Sequence, residues 1–158
     1  MITILNYKSE IQNEIKTFIL NNMKKELLVP DEKIFIEITK DLEDIDKNYI
    51  EYGGEMLYAY DRYHKKIVGT IAMNFENDLA ILKRFYVDKE YRNRKIGFLL
   101  YQELEKRIIQ KEIQEMYLTS GRELKNAHIF YERNGWTLET NNPGIKIRKE
   151  AFLFKKEF

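Results

Sequence analysis

Apolar residues recur at two different periods along the chain, and each change of period marks a new element. Ile2, Ile4 and Tyr7 read as a short first strand, after which Ser9 and Gln12 have the spacing of a capping box that opens a helix. Ile11, Ile15, Phe18 and Ile19 follow at helical spacing as one buried stripe, ending near Lys24 and Lys25, where cations suit a helix C-terminus. Ile34 to Ile38 fits a strand or a helix. Leu42, Ile45 and Tyr49 after Asp41 predict a second helix, stopped by Gly53-Gly54. Three strands come next, at Met56 to Tyr60, Ile67 to Met73 and Leu79 to Val87. The turns between them, His64-Lys65-Lys66 and Glu76-Asn77-Asp78, are short, so the three should pair antiparallel.

Beyond Val87 the order changes to β-α-β-α. A basic loop from Tyr91 to Lys95 leads into a helix from Gly97 to Gln110, whose Leu100, Leu104 and Ile108 form an apolar face. A strand from Met116 to Thr119 and a helix from about Glu123 to Asn134 come next, with Gly135 in the C′ position that ends a helix. Trp136 to Leu138 and Ala151 to Phe154 read as closing strands around the loop Asn141-Asn142-Pro143-Gly144. The expected fold class is α/β of the α+β kind, a mixed and mostly antiparallel sheet with flanking helices, in one domain over residues 1–158.

Composition narrows the chemistry. Lys and Arg number 27 against 26 Asp and Glu, a net charge of +1, so no global field favours nucleic acid or an anionic membrane as partner. The absence of cysteine excludes disulfides, thiolate metal sites and a cysteinyl acyl-enzyme. Two histidines without cysteine make no zinc site, and no bound metal is expected. The two serines are Ser9, in a capping position, and Ser120, which lacks the G-x-S-x-G elbow; Ser120 and Arg122 are expected near a substrate cleft. The N-terminal segment has neither a cationic start nor a long apolar run, so a cytoplasmic location is expected.

The stretch Phe85-Tyr86-Val87-Asp88-Lys89-Glu90-Tyr91-Arg92-Asn93-Arg94-Lys95-Ile96-Gly97-Phe98-Leu99-Leu100 runs from a strand through a basic turn into a helix. A helix start offers unpaired N–H groups and partial positive charge, which suits a pyrophosphate; Arg92, Arg94 and Lys95 add full charges, and Gly97 lets a ligand reach the backbone. In isolation the same turn is better read as a solvated loop with a glycine selected for packing.

Three blocks in order distinguish the two readings: Leu82 to Val87, Tyr91 to Leu100, and Asn126-Ala127-His128-Ile129-Phe130-Tyr131-Glu132-Arg133-Asn134-Gly135-Trp136. Together they resemble the central strand, the R-x-x-G-x-G/A loop and helix, and the N-A-x-x-x-Y-x-x-x-G-F/W block of the GCN5-related N-acetyltransferase (GNAT) superfamily. The similarity covers about Glu55 to Leu138 and, weakly, the N-terminal helices. It implies a sheet with a V-shaped splay between the fourth and fifth strands, near Val87 and Thr119, and acetyl-CoA as co-substrate. Phe85, Tyr86 and Val87 would line the pantetheine arm, with the Phe85 and Val87 backbones pairing with it. The N–H groups of Arg92, Asn93, Arg94, Lys95, Ile96, Gly97 and Phe98 would hold the pyrophosphate. Asn126 would contact the coenzyme, and Tyr131 would lie near the thioester sulfur as general acid.

Two positions depart from the family pattern. Lys95 stands where the signature usually has its first glycine. Ile81 stands where many relatives carry a glutamate that accepts the amine's proton. Glu55, Glu76, Asp78, His128 and a water chain are the candidates for that role, with His128 expected on a helix surface. The resemblance implies an N-acetyltransferase moving an acetyl group to a primary amine, of a small molecule or a protein, by direct attack in a ternary complex. The alternative is a non-catalytic CoA-binding sensor or interaction module. The acceptor is not legible, and oligomeric state stays open, a homodimer included.

Overall fold

Seven strands join in one sheet, in the order β1-β2-β3-β4-β5-β7-β6: β1 (Ile2–Asn6), β2 (Glu55–Asp61), β3 (Lys66–Glu76), β4 (Leu79–Val87), β5 (Glu115–Gly121), β6 (Thr137–Leu138) and β7 (Ala151–Glu157). The computed structural model describes residues 1–26 and 31–158. All neighbouring pairs are antiparallel except β4 and β5, which run parallel because the helix α3 (Ile96–Gln110) crosses over between them. That parallel ladder contains only Ala80 opposite Met116 and Ile81 opposite Tyr117. From Leu82 to Val87 the β4 edge that faces β5 has no partner strand among the described residues, which is the V-shaped splay.

Each face of the sheet has its own core. On one face Leu57, Ile71, Met73 and Leu82 pack under Ile96, Leu100, Leu104 and Ile108 of α3, together with Tyr131 of α4 (Lys125–Arg133). Gly69 permits this close seat, since a Cβ there would lie 2.9 Å from Leu100. On the opposite face Ile15, Ile19 and Met23 of α1 (Gln12–Glu26) pack with Leu42, Ile45 and Tyr49 against Met56, Tyr58 and Ala72. A third cluster, Ile81, Tyr117, Ile145 and Leu153, seals that face across the β4–β5 ladder.

The N-terminal third departs from the sequence expectation in two places. Ser9 and Gln12 form no capping box: Ser9 to Ile11 is a 3₁₀ turn, and the Ser9 hydroxyl donates to Asp46 Oδ1 at 2.9 Å. The Gln12 side chain donates to Leu42 O at 2.6 Å and accepts from the Ile45 N–H at 2.9 Å, so both side chains serve a segment some thirty residues away. The helix expected after Asp41 is a 3₁₀ turn at Lys40–Glu43 followed by a π turn at Asp46–Ile50. Leu42, Ile45 and Tyr49 still point inward, so the apolar spacing was satisfied by tighter and wider turns instead of a regular helix. The ambiguous stretch before it is helix α2 (Glu32–Ile38), capped by the Asp31 carboxylate on the Lys33 N–H.

Candidate active site

The free end of β4 is shaped by a bulge. Thr70 opposes Tyr86 and Ala72 opposes Lys83, so β4 carries one more residue than β3 between these pairs. Arg84 takes up the excess at φ +53°, a left-handed conformation uncommon for a non-glycine residue, with its carbonyl held by Thr70 Oγ1 at 2.8 Å. Long-range bonds hold it there. Arg84 Nε and Nη2 donate to the Asp41 carboxylate at 3.0 and 2.5 Å, Nη2 donates to Ile38 O at 2.6 Å, and Nη1 lies 3.2 Å from Met23 Sδ. Tyr49 also donates its hydroxyl to Asp41. Burial alone would raise the Asp41 carboxyl; the Arg84 guanidinium overcomes it and holds the group below its ordinary range. Beyond the bulge Phe85 and Val87 pack toward α3, while Tyr86 packs toward α1.

Asp88 leaves the strand by donating its N–H to Val68 O at 2.9 Å, and its carboxylate caps a short turn by accepting the Glu90 N–H at 3.0 Å. Tyr91 then anchors the basic loop. Its buried hydroxyl donates to Asp61 Oδ2 at 2.6 Å, and its ring carries the Arg94 guanidinium at 4.8 Å and the Lys66 ammonium at 5.0 Å. Asp61 also accepts the N–H groups of Tyr63 and His64 and faces His64 Nδ1 at 2.7 Å. The Tyr91 bond, helped by those to the β2–β3 turn, holds the Asp61 carboxyl well below the usual carboxylate range.

Asn93 and Lys95 are left-handed, at φ +64° and +63°. Lys95 therefore adopts the conformation a glycine would take there, at a cost of about 1–2 kcal/mol, with its side chain exposed. Helical bonding begins with the Leu99 N–H on Lys95 O at 3.0 Å. The Arg92 N–H is directed to Lys89 O at 3.4 Å, but the N–H groups from Asn93 to Phe98 have no acceptor among the described residues. A Cβ on Gly97 would make ordinary contact, 3.6 Å from the Phe85 ring and from Val87 Cγ2. The fold's own packing therefore does not demand glycine here. Arg92 reaches back from the loop, its Nε donating to Val87 O at 3.3 Å while its Nη2 pairs with Glu26 at the end of α1.

Tyr131 approaches from α4, 8% exposed, its ring 6.4 Å from Phe85, 6.0 Å from Phe130 and 6.1 Å from Trp136. Its hydroxyl makes no hydrogen bond among the described residues. Burial first, then the neighbouring Tyr86 and Glu26, pushes its phenol far above the ordinary value, so it is protonated at every working pH. Asn126 lies exposed in the first turn of α4. The structure thus brings Phe85, Val87, Gly97 and Tyr131 together, whereas Asn126 makes no hydrogen bond to any of them.

His128, expected on a helix surface, is half-buried. It turns inward, its Nε2 3.2 Å from Ser120 Oγ and its ring beside Phe152 and Phe154, at 5.5 and 5.2 Å. Ser120 is buried in this contact, while Arg122 lies exposed over Phe152. Ile81 is enclosed with Tyr117, Ile145 and Leu153. Glu55 is bound by Arg107 at 3.1 Å and Lys111 at 3.5 Å near the far end of α3, and Glu76 accepts the Lys146 N–H at 3.1 Å. Asp78 lies in the turn at the opposite end of β4, beside a shallow groove lined by Tyr52, Phe75 and Asn77. Sequence reasoning missed Arg84, Asp41, Asp61 and Glu26. An arginine inside an apolar strand was the one available signal, for Arg84.

Comparison with known proteins bears on the chemistry. The sequence model of the Acetyltransferase (GNAT) family matches residues 22–136. No curated protein matches the sequence. Among solved structures, an acetyltransferase of the GNAT family from Staphylococcus aureus MU50 is 28% identical and superposes with a TM-score of 0.86 over 99% of both chains. An acetyltransferase from Streptococcus agalactiae 2603 is 20% identical, with a TM-score of 0.83 over 99% of this chain and 98% of that one. A PaiA N-acetyltransferase from Thermoplasma acidophilum, in complex with coenzyme A, is 22% identical with a TM-score of 0.79, over 100% of this chain and 99% of that one. Among the described residues, no helix is long and apolar enough to cross a membrane. The splayed sheet, the amide-rich start of α3 and a family match over most of the chain converge: this protein belongs to the GNAT family of acetyltransferases.

Proposed function

We propose that this protein transfers the acetyl group of acetyl-CoA to a primary amine by direct attack in a ternary complex. The observation that carries this reading is the juxtaposition of the free amides from Asn93 to Phe98, the unpaired β4 edge from Phe85 to Val87 and the protonated Tyr131. The residues fit the coenzyme: six N–H groups at a helix start, without an acceptor among the described residues, suit a diphosphate, and Gly97 keeps side-chain bulk away from them. Neighbouring GNAT structures hold coenzyme A or acetyl-CoA, which supports the same co-substrate here.

The coenzyme supplies an acetyl group activated as a thioester. Exposed Arg94 and Lys95 add charge at the diphosphate side of the loop, and the Phe85 and Val87 backbone groups align the pantetheine arm as an added strand would. The amides beyond the bulge supply donors for charge developing on the carbonyl oxygen, and Tyr131 Oη gives its proton to the departing sulfur. Asn126 is assigned to the coenzyme as well, from the exposed first turn of α4. An alkylammonium has a pKa of about 10.4, so the acceptor must shed a proton before attack. With Ile81 sealed, that proton leaves through water.

Release of free thiol with a panel of primary amines tests the reading. Turnover on at least one amine is expected. Tight coenzyme binding in calorimetry without turnover on any would favour a non-catalytic coenzyme sensor, which the sealed Ile81 position also fits.

A further inference from the structure

The two faces of the β4 edge are chemically unlike. The α3 and α4 face carries Gly97, Phe85 and Tyr131. The α1 face carries Tyr86, and the last turn of α1 lies across it, with Met23 on Arg84 and Glu26 on Arg92. Glu26 is half-buried, with 27% of its side chain exposed, and its charge is felt by both the Tyr86 and the Tyr131 phenols. Arg92 bonds both Glu26 and Val87 O, so this carboxylate lies one guanidinium away from the strand edge along which, on the reading above, the pantetheine arm would run. Three other carboxylates are engaged within the fold: Asp41 with Arg84 and Tyr49, Glu55 with Arg107 and Lys111, Glu76 with the Lys146 amide.

The Glu26 partner is itself a group with two uses. Arg92 belongs to the basic loop, and its guanidinium spans the mouth of the site, from Val87 O to Glu26. Both ends of that span are needed elsewhere during turnover: Val87 O by the pantetheine arm, and the guanidinium by the diphosphate, which would attract it more strongly than one carboxylate. Once Arg92 moves to the diphosphate, Glu26 is left half-buried without its cation. An ammonium is then the natural replacement, since an uncompensated half-buried charge is costly.

We propose that Glu26 is the docking residue for the cationic amine acceptor, covered by Arg92 until the coenzyme draws Arg92 away. The inference rests on the coenzyme-binding reading above and adds to it an acceptor-positioning carboxylate and a coupling between the two ligands. Because coupling is reciprocal, bound ammonium must also tighten the coenzyme.

The test uses n-butylammonium as probe, titrated into the full chain with and without saturating coenzyme A and followed by NMR chemical shifts. Saturable binding is expected only in the presence of coenzyme, weakened about tenfold in Glu26→Gln through loss of a charge-assisted contact and largely restored in Glu26→Asp. In Arg92→Gln the probe should bind without coenzyme, because Glu26 is uncovered. No saturable binding to the loaded wild type, or equal binding in Glu26→Gln, overturns the proposal. A coenzyme that fails to bind in calorimetry overturns the underlying reading instead, so the two failures are distinguishable.

Discussion

Tyr131 and Gly97 are the two residues whose roles separate most cleanly from stability. Tyr131 is held by aromatic neighbours, and its hydroxyl bonds to nothing among the described residues, so Tyr131→Phe removes a proton donor and little packing. We expect turnover to fall by about 10²-fold or more with an unchanged coenzyme dissociation constant; equal turnover in steady-state assays would remove Tyr131 from the chemistry. Gly97→Ala should move stability and binding in opposite directions. The added methyl meets Phe85 and Val87 at ordinary distance, and alanine is favoured over glycine in a helix by roughly 0.5–1 kcal/mol. The melting temperature should hold or rise while calorimetry shows weaker coenzyme binding. Lys95, by contrast, was read from sequence as a departure from the glycine signature, and the backbone there is left-handed all the same. Its side chain points to solvent, which is why a lysine is compatible with a position the motif reserves for glycine.

Two elements carry the site, the bulged end of β4 and the loop before α3, and each is tied to a distant segment by one buried polar residue. Arg84→Met would leave the Asp41 carboxylate with Tyr49 as its one side-chain hydrogen-bond donor among the described residues. Breaking one partner of a buried ion pair costs about 3–5 kcal/mol, measurable as a lower urea midpoint, and a second change, Asp41→Leu, should recover much of the loss. Asp61 makes a prediction in pH. Its folded carboxyl lies well below the ordinary 3.8, so an unfolded chain takes up a proton that the fold refuses. The stabilisation is therefore complete above about pH 5 and is lost as the pH falls through 4 and below. In Asp61→Asn the urea midpoint should be lower at neutral pH and flatter across the acid range; an acid slope equal to wild type would show that Asp61 contributes none of it. The strands, α3 and α4 were legible because their apolar spacing agrees with what their surroundings require. The segment from Asp41 to Tyr49 was not, since its inward spacing is shared by a helix and by successive 3₁₀ and π turns, and the choice is made by Gln12 and Arg84. The bulge was equally hidden, because its positive φ depends on a carboxylate 43 residues away.

Across the whole molecule, the side of the site proposed for the coenzyme was readable from two local stretches of chain, whereas the side proposed for the acceptor was not. Phe85 to Phe98 and Asn126 to Trp136 each bring their chemistry as a local motif, and the β-α-β-α order brings the two together. On the proposed reading the acceptor face would be assembled from α1, the turns at Lys40–Glu43 and Asp46–Ile50 and a loop whose Ile145 packs on Ile81, and none of these has a local signature. Glu26 shows the difference: one acid in a polar helix end becomes conspicuous only when Arg92, 66 residues later, lands on it. The two-pair ladder between β4 and β5 has a mechanical consequence. The sheet has a four-strand half and a three-strand half, stitched along a seam that is short exactly where the pantetheine arm would run, so an inserted ligand acts as the missing thread. Amide hydrogens of Leu82 to Val87 that face the gap should exchange freely in the unliganded chain and slow sharply on adding coenzyme A, with slowing extending to Leu118 and Thr119 across the seam. The protein would then be stiffest while it carries its substrate and most compliant as it lets the product go.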